Sequence, residues 1–238
     1  MADYPRAEPV TPALNLQSWL DLTFLHWRYP REMVQQQVPK PLEVETFDGA
    51  AWVGIVPFVI KGLRAPWMPA LPWISRFSET NCRTYVRAPD GSSGVWFFSL
   101  DAARAAAVAG ARIGYGLPYA WSRMRVSRSG GVIGYESRRR WPDRLARTSI
   151  RIEEGRPIAS GELEIFLTAR FRLYSFIFGQ LTYTRIEHPP WPLRSARVLA
   201  LEQTVTTAAG LPDPQGAPLA HFAQRVDVRV AAPRRLRA

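Results

Sequence analysis

The sequence predicts an α+β fold that is mainly antiparallel β, and three observations carry that prediction. Twenty-one prolines are scattered along 238 residues and cut the chain into short pieces. Those pieces are rich in Val, Ile, Tyr, Phe and Trp, side chains that suit a pleated, half-buried surface. Two stretches alone read as helix. Short strands in this number are expected to close on themselves, because an open sheet exposes unpaired edge groups.

The elements follow in chain order. Residues 30–38 predict a short helix, with Pro30 in its first turn and Pro39 ending it. Residues 52–58, 81–87 and 95–100 predict strands, the last two joined by the turn Ala88-Pro89-Asp90-Gly91. The run Val95-Trp96-Phe97-Phe98-Ser99-Leu100 is apolar on both faces and belongs at the centre of a sheet. Residues 101–113 are alanine-rich and predict the clearest helix, with Ser99 or Asp101 to cap its first amides and a Gly-Tyr-Gly-Leu-Pro breaker from Gly114. Strands are then expected at 132–139, 161–168, 170–176 and 181–187. Glu162-Leu163-Glu164-Ile165 begins the second of these in strict alternation. Residues 225–230 are expected as a closing strand, although the stretch from Leu211 also reads as a partner-binding tail.

Composition narrows the function. One cysteine, Cys82, excludes an intramolecular disulfide, and with only His26, His188 and His221 no metal site is expected. Of 31 basic residues all but Lys40 and Lys61 are arginine, against 20 acidic residues, for a net charge of +11. The longest basic runs, Arg138-Arg139-Arg140 and Arg234-Arg235-Leu236-Arg237, sit in no nucleic-acid-binding motif. Specific nucleic-acid binding is therefore the weakest of three readings. Uncharged apolar runs stop at about a dozen residues, short of the roughly 18 a spanning helix needs, so no membrane partner and a cytoplasmic location are expected. No phosphate loop, Gly-x-Gly-x-x-Gly or Gly-x-Ser-x-Gly is present, and no cofactor is expected.

One constellation carries chemistry. Residues 79–87 read Glu-Thr-Asn-Cys-Arg-Thr-Tyr-Val-Arg. On a strand the odd positions share a face, so Glu79, Asn81, Arg83, Tyr85 and Arg87 stand together. Such a face either meets water or lines a cavity in which carboxylate and guanidinium bracket a polar ligand. Three further residues are candidates. Arg112 is either a solvated cation at a helix end or a ligand contact. Tyr119 is either a packed aromatic or an exposed phenol donor. His188, ahead of two prolines, is either a structural hydrogen-bonding residue or a base.

At these residues the chain resembles a known family, the uncharacterised conserved bacterial proteins called DUF2071 or YqjF-like. The resemblance lies in Trp19 with Phe24-Leu25-His26-Trp27, in Val38-Pro39-Lys40-Pro41-Leu42, and in the run from Asp48 to Phe58. It continues in Phe77 to Val86, Gly94 to Asp101, Leu117-Pro118-Tyr119, Glu164 to Phe171 and His188-Pro189-Pro190-Trp191. It covers one domain over residues 17–238 after an N-terminal extension, 1–16. That family is similar, more distantly, to acetoacetate decarboxylase, which implies a conical β-barrel with an interior pocket and a few helices. It also allows a homo-oligomer. In the decarboxylases a glutamate at the position like Glu79 lies in the active site, and a Pro-Lys-Lys triplet supplies an imine-forming lysine. Here Pro118, Tyr119 and Ala120 fall on that triplet. A phenol cannot condense with a ketone, so imine-based decarboxylation is not expected.

The resulting expectation is a small-molecule pocket protein. It is either an enzyme acting on a small carboxylate or carbonyl compound or a non-catalytic ligand-binding or sensing module. Glu79 and Tyr119 are the catalytic candidates. Asn81, Arg83, Tyr85, Arg112 and His188 are the ligand-binding ones.

Overall fold

A computed structural model describes residues 4–236. Most of the chain is strand. In order the elements are β1 (Asn15–Tyr29), α1 (Arg31–Gln35), β2 (Glu43–Val44), β3 (Thr46–Phe47), β4 (Ala50–Arg64), β5 (Arg76–Arg87) and β6 (Ser93–Ala102). These are followed by α2 (Ala105–Tyr115), β7 (Tyr119–Ser129), β8 (Val132–Trp141), β9 (Arg147–Pro157) and α3 (Glu162–Thr168). The chain ends with β10 (Arg172–Ile177), β11 (Gln180–Glu187), β12 (Leu193–Gln203), α4 (Val205–Ala208), β13 (Leu219–Val230) and β14 (Arg234–Arg235). Among the described residues no helix is long and apolar enough to cross a membrane.

Pairing runs from β5 through β4, β1, β13, β12, β9, β8, β7 and β6 and returns to β5. A second circuit leaves β6 through β10 and β11 to β13, and shares β13, β1, β4, β5 and β6 with the first. Among the described residues only β6–β7 and β6–β10 are parallel. α2 supplies the crossover that a parallel β6–β7 pair requires.

The shared strands explain why β4 reads as an unbroken apolar run. Residues 51–60 are all buried. Val53 and Ile55 face one core with Leu25, Ile133, Ile150, Ile152 and Phe222. Val56, Phe58 and Ile60 face another with Leu22, Phe24 and Val228. Side chains fill the first circuit. The second retains a cavity.

The central run 95–100 lies in β6 as expected. Two expectations fail. Residues 161–168 form helix α3, not a strand. Six alternating residues are too few to separate a period of 2 from one of 3.6, and Leu163 and Leu167 also share a helical face. Local hydrogen bonding decides in favour of helix. The Glu164 carboxylate accepts the Gly161 amide at 2.9 Å, and Glu162 and Glu164 both lie in the first turn, where the helix dipole favours them. The alanine helix begins at Ala105 rather than Asp101, because Asp101 is held in the sheet. Its backbone pairs with Thr80 and Ala120. Its carboxylate accepts from Ser122 and, through both oxygens, from Arg139 at 2.8 Å. At the other end Gly116 adopts φ 62°, the left-handed conformation that closes a helix and that glycine enters without strain. The long strands β1, β7, β9 and β12 were not among the predicted runs.

Asp101 and Arg139 are both buried, and they tie β6, β7 and β8 at the parallel junction. Removing one member leaves a buried charge without its partner. Asp101→Asn is expected to cost about 3–5 kcal/mol by urea unfolding, and a double change to apolar residues of similar size less. A single-variant loss under about 1 kcal/mol would show that this pair is not structural.

Candidate functional site

The second circuit and α2 enclose a cavity of about 270 Å³. β1 contributes Trp19, Leu22 and Phe24, β4 contributes Val56, Phe58 and Ile60, and β6 contributes Val95, Phe97 and Leu100. α2 closes one side with small residues, Ala107, Gly110 and Ala111. The alanine content read as helix propensity thus also lets the helix backbone sit close over the cavity. Trp191 completes the aromatic wall. Its ring stacks on Trp19 at 6.0 Å and meets Phe24 edge-on at 5.0 Å.

The polar face comes from β5. Glu79, Asn81 and Arg83 point into the cavity, while Thr80, Cys82, Thr84 and Val86 are buried on the reverse face. Tyr119, on β7 beside Leu100, donates its hydroxyl hydrogen to Glu79 Oε2 at 2.8 Å. His188 also lines the space. Its Nδ1 lies 2.8 Å from the Pro189 carbonyl oxygen, which can only accept, so Nδ1 carries the proton.

Burial sets the protonation states. It pushes the Glu79 carboxyl from an ordinary 4.5 up to about 8. Hydrogen bonds from Tyr119 and Asn81 pull it down by less, and the negative Asp101 nearby pushes it further up. Among the described residues no cation pairs with Glu79; the guanidinium of Arg139 is committed to Asp101. Glu79 is therefore a neutral acid near pH 7. Tyr119 is pushed well above 10 by burial and by Glu79, and stays a phenol. His188 falls to about 4 through burial and the charge of Arg83, against the pull of its backbone contacts, and stays neutral.

Arg83 has no carboxylate partner among the described residues, and its buried Nε has no hydrogen-bond acceptor. Its Nη2 donates to the Leu167 carbonyl at 3.3 Å, and the guanidinium lies 5.6 Å from the Phe24 ring centre. Tyr85 stands behind it. The Tyr85 hydroxyl donates to the same carbonyl at 2.8 Å and meets His26 Nε2 at 2.6 Å. Tyr85 therefore accepts from His26, which is neutral because burial, Arg83 and His221 hold it well below its ordinary range.

Glu79, Asn81, Arg83, Tyr119 and His188 thus meet in one cavity. Tyr85 is adjacent and buried, positioning rather than lining. Arg112 is a correction: it lies outside, exposed, donating to the Tyr119 carbonyl at 2.7 Å and stacking over Trp141 at 4.8 Å. It sits in the last turn of α2, on the side turned away from the cavity. Arg87 also points outward and pairs with Glu45 at 2.6 Å. Sequence reasoning missed Arg170 as a lining residue. Its guanidinium is buried and bound to Glu45. Nothing local to it signals that fold-wide placement. Trp19 and Trp191 were noted as family landmarks and not as walls of the site.

Comparison with known proteins follows the same lines. The family of uncharacterized conserved proteins designated DUF2071 matches residues 16–227. The uncharacterized protein YqjF of Bacillus subtilis (strain 168) is 37% identical over 214 residues, covering 89% of this chain and 88% of its own. Acetoacetate decarboxylase from Legionella pneumophila superposes with a TM-score of 0.68 at 13% identity, over 98% of this chain and 91% of that one. The enduracididine biosynthesis enzyme MppR complexed with pyruvate gives 0.65 at 13%, over 96% and 92%. An acetoacetate decarboxylase-like enzyme from Sphingomonas wittichii RW1 gives 0.62 at 14%, over 95% and 94%. At these identities the likeness shows the fold.

The displaced Glu79 carboxyl has a measurable signature. Between pH 4.5 and 8 the unfolded chain releases this proton and the folded chain keeps it, so stability falls as pH rises through that window, by up to about 1.4 kcal/mol per unit from this group. Glu79→Gln removes the ionisation. Denaturant unfolding at pH 5, 6.5 and 8 is expected to show the variant gaining on the wild type at each step. Parallel curves would mean that Glu79 is ionised in the folded protein.

Proposed function

The chain belongs to the DUF2071 family, and from that premise we propose that it is a small-molecule-binding protein, an enzyme acting on a small carboxylate or carbonyl compound without imine chemistry. One observation carries the reading: Arg83 presents a guanidinium without an acid partner to an otherwise mainly apolar cavity. A guanidinium fork in a low-dielectric site takes a carboxylate in two hydrogen bonds. Glu79, protonated and accepting from Tyr119, donates its own proton to a carbonyl or hydroxyl oxygen. In turnover, Glu79 is the group that gives up a proton to an oxygen gaining negative charge. The finer shape belongs to the same proposal: the hollow circuit is the conical barrel, and α2 is its cover.

The absence of imine chemistry rests on the lining. No lysine lines the cavity among the described residues; Lys40 and Lys61 are exposed, and the phenol of Tyr119 holds the place beside Glu79. A non-catalytic sensing module is the second reading. It is favoured by the Tyr119–Glu79 hydrogen bond, which satisfies the Tyr119 hydroxyl without a substrate.

Calorimetric titration with small carboxylates and carbonyl compounds tests the reading. Arg83→Ala is expected to weaken carboxylate binding by about tenfold or more, the value of a charged hydrogen bond. Borohydride added with a 2-oxo acid is expected to leave Lys40 and Lys61 unmodified by mass. An adduct on either lysine, or binding indifferent to Arg83, counts against the proposal. Conversion of a bound compound separates enzyme from sensor.

A further inference from the structure

We infer that the ligand is an aromatic monocarboxylate bearing its second oxygen at the opposite end of the ring, as in a phenolic acid; this rests on the reading above and narrows its substrate class. Three observations on this one cavity lead to it.

The first is the count of free charge. Two guanidiniums line the cavity, but Arg170 is bound to Glu45 and donates to the Phe166 carbonyl at 2.7 Å. Arg83 alone remains for an anion. A dicarboxylate would leave one buried carboxylate without a counter-ion, which is costly.

The second is the spacing of the polar groups. Arg83 and Glu79 are four residues apart on one face of β5, so their Cα atoms stand roughly 13 Å apart at the rise of a strand. Asn81 lies between them and its Oδ1 has no partner. A carboxylate on Arg83 and an oxygen accepting from Glu79 are therefore best joined by a spacer. Adjacent carbons, as in a 2-oxo acid, span far less than that separation.

The third is the wall along which that spacer runs. Trp19, Phe24 and Trp191 form a continuous aromatic surface, and Arg83 lies against Phe24. A ring bound there gains aromatic contact, whereas a short polar acid leaves the wall wet. At the packing density of protein interiors, about 270 Å³ accommodates roughly a dozen non-hydrogen atoms, the size of one ring with two short substituents.

The test is calorimetry on the full chain at pH 7 with five probes: 4-hydroxyphenylacetate, phenylacetate, 4-hydroxyphenylacetamide, pyruvate and succinate. 4-Hydroxyphenylacetate is expected to bind tightest. The amide, lacking the charge, and phenylacetate, lacking the far oxygen, are each expected to be weaker by about tenfold. Pyruvate and succinate, without a ring, are expected to be weaker by on the order of 100-fold. Arg83→Met is expected to erase the acid-over-amide preference and to spare the preference for the hydroxyl. Glu79→Leu is expected to do the reverse. Arg83→Lys, which keeps the charge, retains part of the acid preference and serves if Arg83→Met does not fold. Pyruvate or succinate binding as tightly as the ring acids overturns this inference and leaves the broader proposal standing. No binding by any probe overturns both.

Discussion

Residues 22–27 of β1 and 51–60 of β4 are buried on both faces, and the rest of the architecture follows from that constraint. A strand with two apolar faces must be a wall between two interiors. Val53 and Ile55 look one way, Val56 and Phe58 the other. One interior is packed by Ile133, Ile150 and Ile152 from β8 and β9. The other is walled by Trp19, Phe24, Phe58 and Trp191, and α2 covers it with alanine and glycine. The cavity lies on one side of this shared wall and the packed interior on the other.

The electrostatics of the cavity depend on which charges are already paired. Arg139 grips Asp101 with two hydrogen bonds beside the cavity, and Arg170 is held by Glu45. Both cations are thereby neutralised, and among the described residues no cation pairs with Glu79. Left without a counter-ion in a buried position, Glu79 keeps its proton and bonds to a phenol that also keeps its own. Arg83 is the exception, anchored through the Leu167 carbonyl that Tyr85 shares and His26 supports. The result is one fixed positive charge and one neutral acid, itself held by a phenol, on an aromatic background.

The fold is shared with acetoacetate decarboxylase at 13% identity. The scaffold supplies an enclosed, strand-lined space; the reaction open to it depends on which groups project inward. Among the described residues the lining holds Tyr119 beside Glu79 and no lysine, so what projects inward is a phenol, a carboxyl and the Arg83 guanidinium.

How much of this was legible beforehand varies from residue to residue. The period-2 pattern from Glu79 to Arg87 specified a polar face because side-chain alternation is a local property of any strand. The central placement of 95–100 was legible for the same reason, and Tyr119 followed from a resemblance carried by its neighbours. Whether the polar face of β5 met water or a cavity depended on strands up to 150 residues away in sequence, and no local pattern encodes that. Arg112 and Arg170 show this most clearly: each is an arginine near the end of a helical segment, yet one stacks on the outside and the other lines the interior. The period of 162–168 was equally undecided until Glu164 closed onto Gly161. Local chemistry determined which atoms were available to donate, accept or carry charge. Only long-range strand pairing decided which of them faced the same enclosed space, because burial and counter-ion choice are properties of the assembled sheet.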